Sequence, residues 1–139
     1  MRSLFARHWL ALSHLIELPG AAEKIERTFK LFGARLEQLG RAVPMMAAAL
    51  SAYTAGPSQL VIVGGGDAGD LARAAADVYA PFSLQLRVTA EQQRALATVL
   101  PLIAEMKPLN GHATAYVCRN FACQAPITSD EALEAALRS

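Results

Sequence analysis

The sequence predicts an α+β fold in which a helical segment precedes a small α/β layer. Apolar side chains recur at helical spacing up to residue 55, and a β-branched run begins soon after Pro57. From there, strand patterns and helix patterns alternate along the chain. We therefore expect two domains: a helical hairpin plus a third helix over residues 1–56, and a small α/β domain over residues 57–139.

Three apolar stripes predict the three helices of the first domain. The first stripe has spacings of four, three and four, and Pro19-Gly20 ends its helix. The second stripe ends at Gly40, and Pro44 suits the first turn of a third helix. The stripes are, in order, Phe5, Trp9, Leu12 and Ile16; Ile25, Phe29, Phe32, Leu36 and Leu39; and Met46, Leu50 and Tyr53.

The pattern after residue 57 predicts the element order β-α-β-α-β-β-α, which is found in thioredoxin-like folds. Residues 60–63 form a continuous apolar run typical of a buried strand, whereas residues 82–88 alternate like a half-buried one. Thr89 with Gln92, and Thr128 with Glu131, have the spacing of capping boxes that begin helices. Pro101 lies inside one predicted helix and should bend or shorten it.

The two cysteines, Cys118 and Cys123, fall in the predicted C-terminal hairpin. Their spacing is C-x4-C, which differs from the C-x-x-C of redox motifs. If the hairpin turns at Asn120-Phe121, the two cysteines face each other and a disulfide is possible. If it turns at Arg119-Asn120, they do not pair. Structural thiols, a reversible disulfide, and metal binding or catalysis therefore stay open as hypotheses.

A glycine-rich segment follows the first predicted strand. Gly64, Gly66 and Gly69 match G-x-G-x-x-G, so a phosphate or nucleotide is one candidate ligand. Asp67 would place a negative charge in that loop, and no acidic residue ends the second strand to hold a ribose. A tight turn in which Asp67 or Asp70 caps the next helix is the favoured interpretation.

Composition argues against several classes of function. Thirteen Lys and Arg balance 12 Asp and Glu without a basic stripe, so we expect no nucleic-acid partner. No apolar run is long enough to span a membrane, and no signal peptide is evident, so we expect a cytoplasmic protein. His8, His14 and His112 form no cluster. We therefore predict no metal site, no cofactor and no catalytic residue.

The stretch from Gly111 to Pro126, with its AYVC and second cysteine before a proline, resembles the end of a known family. Those are large thioredoxin-domain proteins related to bacterial YyaL and to a spermatogenesis-associated thioredoxin-like protein. The segment from Pro57 to Gly64 is similar to their P-x-x-V-I-V-G stretch, and the helix with Pro44-Met45-Met46 and Leu50 fits their last helices.

The resemblance implies a thioredoxin-like domain followed by an (α/α)6 barrel similar to six-hairpin glycosidases, with this chain matching only the last fifth or so. It carries over no catalytic residue, although Cys118 and Cys123 match its C-terminal pattern. We expect a non-catalytic structural or interaction module that forms a homo-oligomer or packs on missing upstream domains. The alternatives are a redox-responsive module and a phosphate-binding domain.

Overall fold

The computed structural model describes residues 2–16, 18–39 and 43–138, which form an α+β fold and confirm the predicted fold class. The chain divides into two compact units, Met1–Pro57 and Ser58–Ser139. The helices of the first unit are α1 (Arg2–Leu15), α2 (Ala21–Leu39) and α3 (Pro44–Ala55). None of the helices in the described ranges is both long enough and apolar enough to cross a lipid bilayer.

The three helices of the first unit share one small apolar core, which consists of Leu10, Ile25, Phe29, Met46 and Ala49. The predicted stripe on α1 is wrong at Leu12, whose side chain is 45% exposed while Leu10 is buried. Two residues differ by about 200° around a helix, so burying one of these leucines exposes the other. The predicted core residues Phe5 and Leu39, and the helix stop at Gly40, lie outside the described side chains or residues.

The second unit contains a four-stranded sheet with the strand order β2-β1-β3-β4. Strand β1 pairs in parallel with β2 and antiparallel with β3, and β3 pairs antiparallel with β4. This arrangement is consistent with a small thioredoxin-like layer. Its elements are β1 (Ser58–Val63), α4 (Ala68–Ala76), β2 (Ser83–Val88), α5 (Ala90–Leu96), α6 (Pro101–Ala104), β3 (Thr114–Arg119), β4 (Ala122–Cys123) and α7 (Asp130–Arg138).

Strand β1 is buried on both of its faces. Leu60 and Ile62 pack in one apolar cluster with residues of α4 and α7. Val61 and Val63 alternate with them and join a second cluster on the opposite face, with Ile103 of α6. The continuous apolar run that predicted this strand therefore reflects helices on both sides of the sheet.

The helix after β2 is shorter than its apolar spacing predicted. Helix α5 ends at Leu96, and Pro101 opens the separate helix α6, as expected from a proline without a backbone N–H. The Gln93 side-chain amide donates to the carbonyls of Ile103 and Met106, which ties the two helices together. The second helix of the predicted order is therefore two short helices, α5 and α6.

One predicted capping box is present and the other is misplaced by one residue. Thr89 and Gln92 exchange hydrogen bonds between side chain and backbone at the start of α5. At α7, however, Ser129 Oγ accepts from the Ala132 N–H, so the cap is Ser129 and not Thr128. The reason is that α7 begins at Asp130, which leaves Thr128 one residue too early.

Candidate functional site

The carboxyl end of β1 is packed so closely against the segment before β3 that only glycine fits there. Gly64 has φ +140°, and a Cβ atom on it would lie 2.7 Å from the Ala113 Cα. Gly66 and Gly69, the other two glycines of the G-x-G-x-x-G match, have open space at their Cβ positions. The first glycine of the motif therefore serves strand packing.

Asp67 ties the glycine loop to the same segment. Its Oδ2 accepts a hydrogen bond of 3.0 Å from the Ala113 N–H and lies 3.4 Å from His112 Nδ1. The prediction that Asp67 or Asp70 caps α4 is wrong for the Asp67 side chain, which makes no cap bond although it occupies the N-cap position. Asp70 instead pairs with Arg73 one turn along. The carboxylate of Asp67 therefore joins two loops that are far apart in sequence.

The hydrogen bond from the Ala113 N–H lowers the pKa of the Asp67 carboxyl below its ordinary value, and His112 contributes to the lowering. Both groups favour the ionised carboxylate because one donates a hydrogen bond to it and the other can carry a positive charge. Asp67 is therefore held as an anion in the folded chain.

A cavity of about 320 Å³ opens beside this junction. It lies at the starts of α4 and α7, where free backbone N–H groups attract negative charge. Four carboxylates already occupy that position and oppose a phosphate group there. Binding of phosphate or nucleotide at Gly64, Gly66 and Gly69 stays a prediction that thermal shift with NAD, ATP and inorganic phosphate can test. The lining residues are Asp67, Asp70, Leu71, Ala113, Thr128, Ser129, Asp130 and Glu131.

The C-terminal hairpin settles which of the two predicted turns the chain adopts. Asn120 and Phe121 form the turn, both with positive φ (50° and 62°), so Cys118 stands directly opposite Cys123. The two cysteines are joined in a disulfide across the strands, with their Cα atoms 3.9 Å apart. The Gln124 N–H bonds the Val117 carbonyl next to them, as expected where the cysteines occupy the close, non-hydrogen-bonded pair.

The two cysteines have different surroundings. Cys118 is fully buried in the apolar cluster with Val61 and Ile103. Cys123 lies on the short strand β4, where both residues are exposed. The disulfide therefore joins a fully buried residue to an exposed one.

The three histidines do not converge. His8 is exposed, His14 Nδ1 donates to the Leu10 carbonyl within α1, and His112 faces Asp67. Among the described residues, no group of three or more His, Cys, Asp or Glu is placed to hold a metal ion.

Two features of this unit were not predicted from the sequence. The Asp67–His112 pair is separated by 45 positions, and only the pairing of β1 with β3 brings its members together. Gln59 is 2% exposed near the amino end of the apolar strand β1, and neither of its amide atoms has a hydrogen-bond partner in the described structure. A signal for Gln59 was present in the sequence, since it directly precedes the buried run at Leu60.

We expect Gly64→Ala to lower the free energy of unfolding by about 1–3 kcal/mol, because the new methyl group collides with backbone at Ala113. Denaturant unfolding followed by circular dichroism measures this effect. Gly66→Ala is the matched control, since its Cβ would meet open space. Equal loss in both variants would contradict the packing role of Gly64.

We expect Asp67→Ala to lower the melting temperature at pH 7 and to matter progressively less as the pH falls. The folded-state pKa of Asp67 is lowered. Its stabilisation is therefore present above the unfolded value of about 3.9 and is lost as the pH falls through the folded value. Melting curves of both proteins between pH 7 and pH 2.5 measure the difference.

Asp77→Ala is the control for this titration, because Asp77 is exposed and makes no side-chain bond within the described residues. A melting-temperature gap between Asp67→Ala and the unmodified chain that stays constant down to the lowest pH would contradict an ionic role for Asp67.

A 100-residue stretch of the chain is similar to spermatogenesis-associated protein 20 of three mammals. The identity is 35% for the human protein, 30% for the Rattus norvegicus protein and 29% for the Mus musculus protein. The match covers 70% of this chain but only 13% of the length of each relative. No protein-family model matches the chain, and no solved structure does so either.

Proposed function

We propose that the chain acts as a non-catalytic structural or interaction module, equivalent to the C-terminal region of a larger cytoplasmic protein. That larger protein would combine a thioredoxin-like domain with an (α/α)6 barrel of the six-hairpin glycosidase type. The similarity to spermatogenesis-associated protein 20 supports this proposal, because the match covers 13% of the relatives' length and 70% of this chain.

The observation that carries the proposal is the incomplete burial of α3. Its sequence, PMMAAALSAYTA, is apolar on nearly every side, which is typical of a helix surrounded by protein. Only Met46 and Ala49 are buried among its described side chains, while Leu50 and Tyr53 are each 36% exposed. Further protein packed on the open side of α3 would bury these apolar side chains.

Exposed leucines on the other two helices support the same proposal. Leu12 on α1 is 45% exposed and Leu31 on α2 is 71% exposed, although both are large aliphatic side chains. In the larger proteins, upstream helices would cover this unit. In the isolated chain, we propose that a second copy covers it and that the chain forms a homodimer through α1 and α2.

We expect Leu31→Glu to shift the isolated chain from dimer to monomer, because a carboxylate at the contact would lose its hydration on association. Light scattering over a range of protein concentrations gives the mass of each species. Val99→Glu is the matched control, since Val99 is 59% exposed but belongs to the second unit. A clean monomer for the unmodified chain at high concentration would contradict self-association.

A second candidate function is a redox-responsive module in which the disulfide between Cys118 and Cys123 is reversible. The exposure of Cys123 on β4 favours it, because an attacking thiol needs access to one sulfur. The proposed cytoplasmic location agrees with reversibility, since disulfides in reducing compartments are usually transient or regulatory.

We expect Cys123→Ser to lower the free energy of unfolding of the second unit by about 2 kcal/mol under oxidising conditions. A cross-link between residues five positions apart removes roughly that much chain entropy from the unfolded state. Reductant should bring the unmodified chain to the value of the variant and leave the variant unchanged. Mass spectrometry after thiol alkylation verifies each redox state, and two thiols that never pair would contradict the redox candidate.

A further inference from the structure

Gln59 is the polar side chain of the described core that lacks an evident reason to be buried. It is 2% exposed, and both its amide nitrogen and its amide oxygen lack a hydrogen-bond partner in the described structure. An amide buried without partners destabilises the fold, whereas an apolar residue of the same shape would not. A state of the protein in which this amide gains a hydrogen-bond partner would remove that cost.

The sheet register places Gln59 next to the disulfide. Gln59 on β1 pairs with Cys118 on β3, and Cys118 pairs in turn with Cys123 on β4. These three residues form one row across three strands, and directly opposed residues share a face with Cβ atoms about 4.5–5.5 Å apart. Gln59, Val61 and Val63 are spaced two residues apart, so their side chains share one face of β1. Val61 and Val63 pack with Cys118, which locates the row on that face of the sheet.

Reduction of the disulfide would create a new polar group in this row. A thiolate attacks the sulfur of the exposed residue Cys123, the bond between the two cysteine sulfurs breaks, and its electron pair leaves on Cys118 Sγ. A second thiolate then attacks the outer sulfur of the mixed disulfide, which came from the first thiol, and Cys123 Sγ leaves with the electron pair and takes up a proton, as Cys118 Sγ also does. Two thiols are thereby oxidised to one disulfide while the protein gains two electrons and two protons.

The leaving sulfur of Cys118 lies in an apolar cluster, where a thiolate or thiol finds little solvation. The Gln59 amide is the neighbouring group that can donate a hydrogen bond to a thiolate and accept one from a thiol. We propose that Gln59 is a positioning residue for reduction of this disulfide, bonding Cys118 Sγ in the reduced state. This inference rests on the reversible disulfide proposed above.

The experiment equilibrates the full chain with mixtures of reduced and oxidised glutathione, and alkylation with mass spectrometry counts free thiols. We expect Gln59→Leu to shift the equilibrium toward the disulfide by roughly three- to tenfold, the size of one lost hydrogen bond. Ser83→Ala is the matched control. It removes another unpartnered buried polar atom near the same end of the sheet, but from the adjacent register position, which faces the other side.

The two proposals fail in different ways. If excess dithiol never reduces the folded unmodified chain, the reversible disulfide is overturned. If the unmodified chain is reduced but Gln59→Leu or Gln59→Met has the same equilibrium, the role of Gln59 is overturned and the reversible disulfide stands. Two substitutions keep the test decisive if one of them fails to fold.

A measurement on the unmodified chain gives an independent readout. The side-chain NH₂ signals of Gln59 in nuclear magnetic resonance spectra should shift on reduction and exchange more slowly with water, because the amide gains a sulfur partner. Signals that stay unchanged between the oxidised and reduced chain would overturn the proposal.

Discussion

The second unit depends on one constraint, which is the burial of β1 on both of its faces. A strand with apolar residues on each side needs a cover on each side, so α4 and α7 pack against Leu60 and Ile62 while α6 packs against Val61 and Val63. Strands β2 and β3 pair with the two edges of β1 and bond its backbone N–H and carbonyl groups. Every functional candidate in this unit occupies one or the other end of that strand.

The carboxyl end of β1 shows how a sequence motif can have a packing origin. A helix start after a strand usually offers backbone N–H groups to an anion. Here the Asp67 carboxylate lies in the loop and accepts a hydrogen bond from the Ala113 N–H. Gly64 is required because Ala113 lies against it, so the glycine and the aspartate serve the same junction. The first glycine of the G-x-G-x-x-G match is thus explained by the approach of two loops.

The fold class was predictable because the spacing of apolar residues differs between a partly buried helix and a buried or half-buried strand. Local details depended on tertiary packing instead. The period on α1 predicted Leu12 in the core, whereas Leu10 packs there against residues of α2 and α3. The hairpin turn was ambiguous because Asn120-Phe121 lacks the glycine usual for paired positive φ values. Asp67 and His112 could not be paired from sequence, since their contact follows from strand order.

The position of the disulfide explains why a neutral amide would matter to it. Thiolates in redox proteins are commonly stabilised by the start of a helix. In this unit, the starts of α4 and α7 lie near Asp67, at the carboxyl end of β1, whereas Gln59 and Cys118 lie near its amino end. We therefore propose that the Cys118 sulfur, once reduced, bonds within the sheet and not at the start of α4 or α7. Gln59 occupies the cross-strand position beside it, and the reduced chain is the proposed state in which its amide gains a partner.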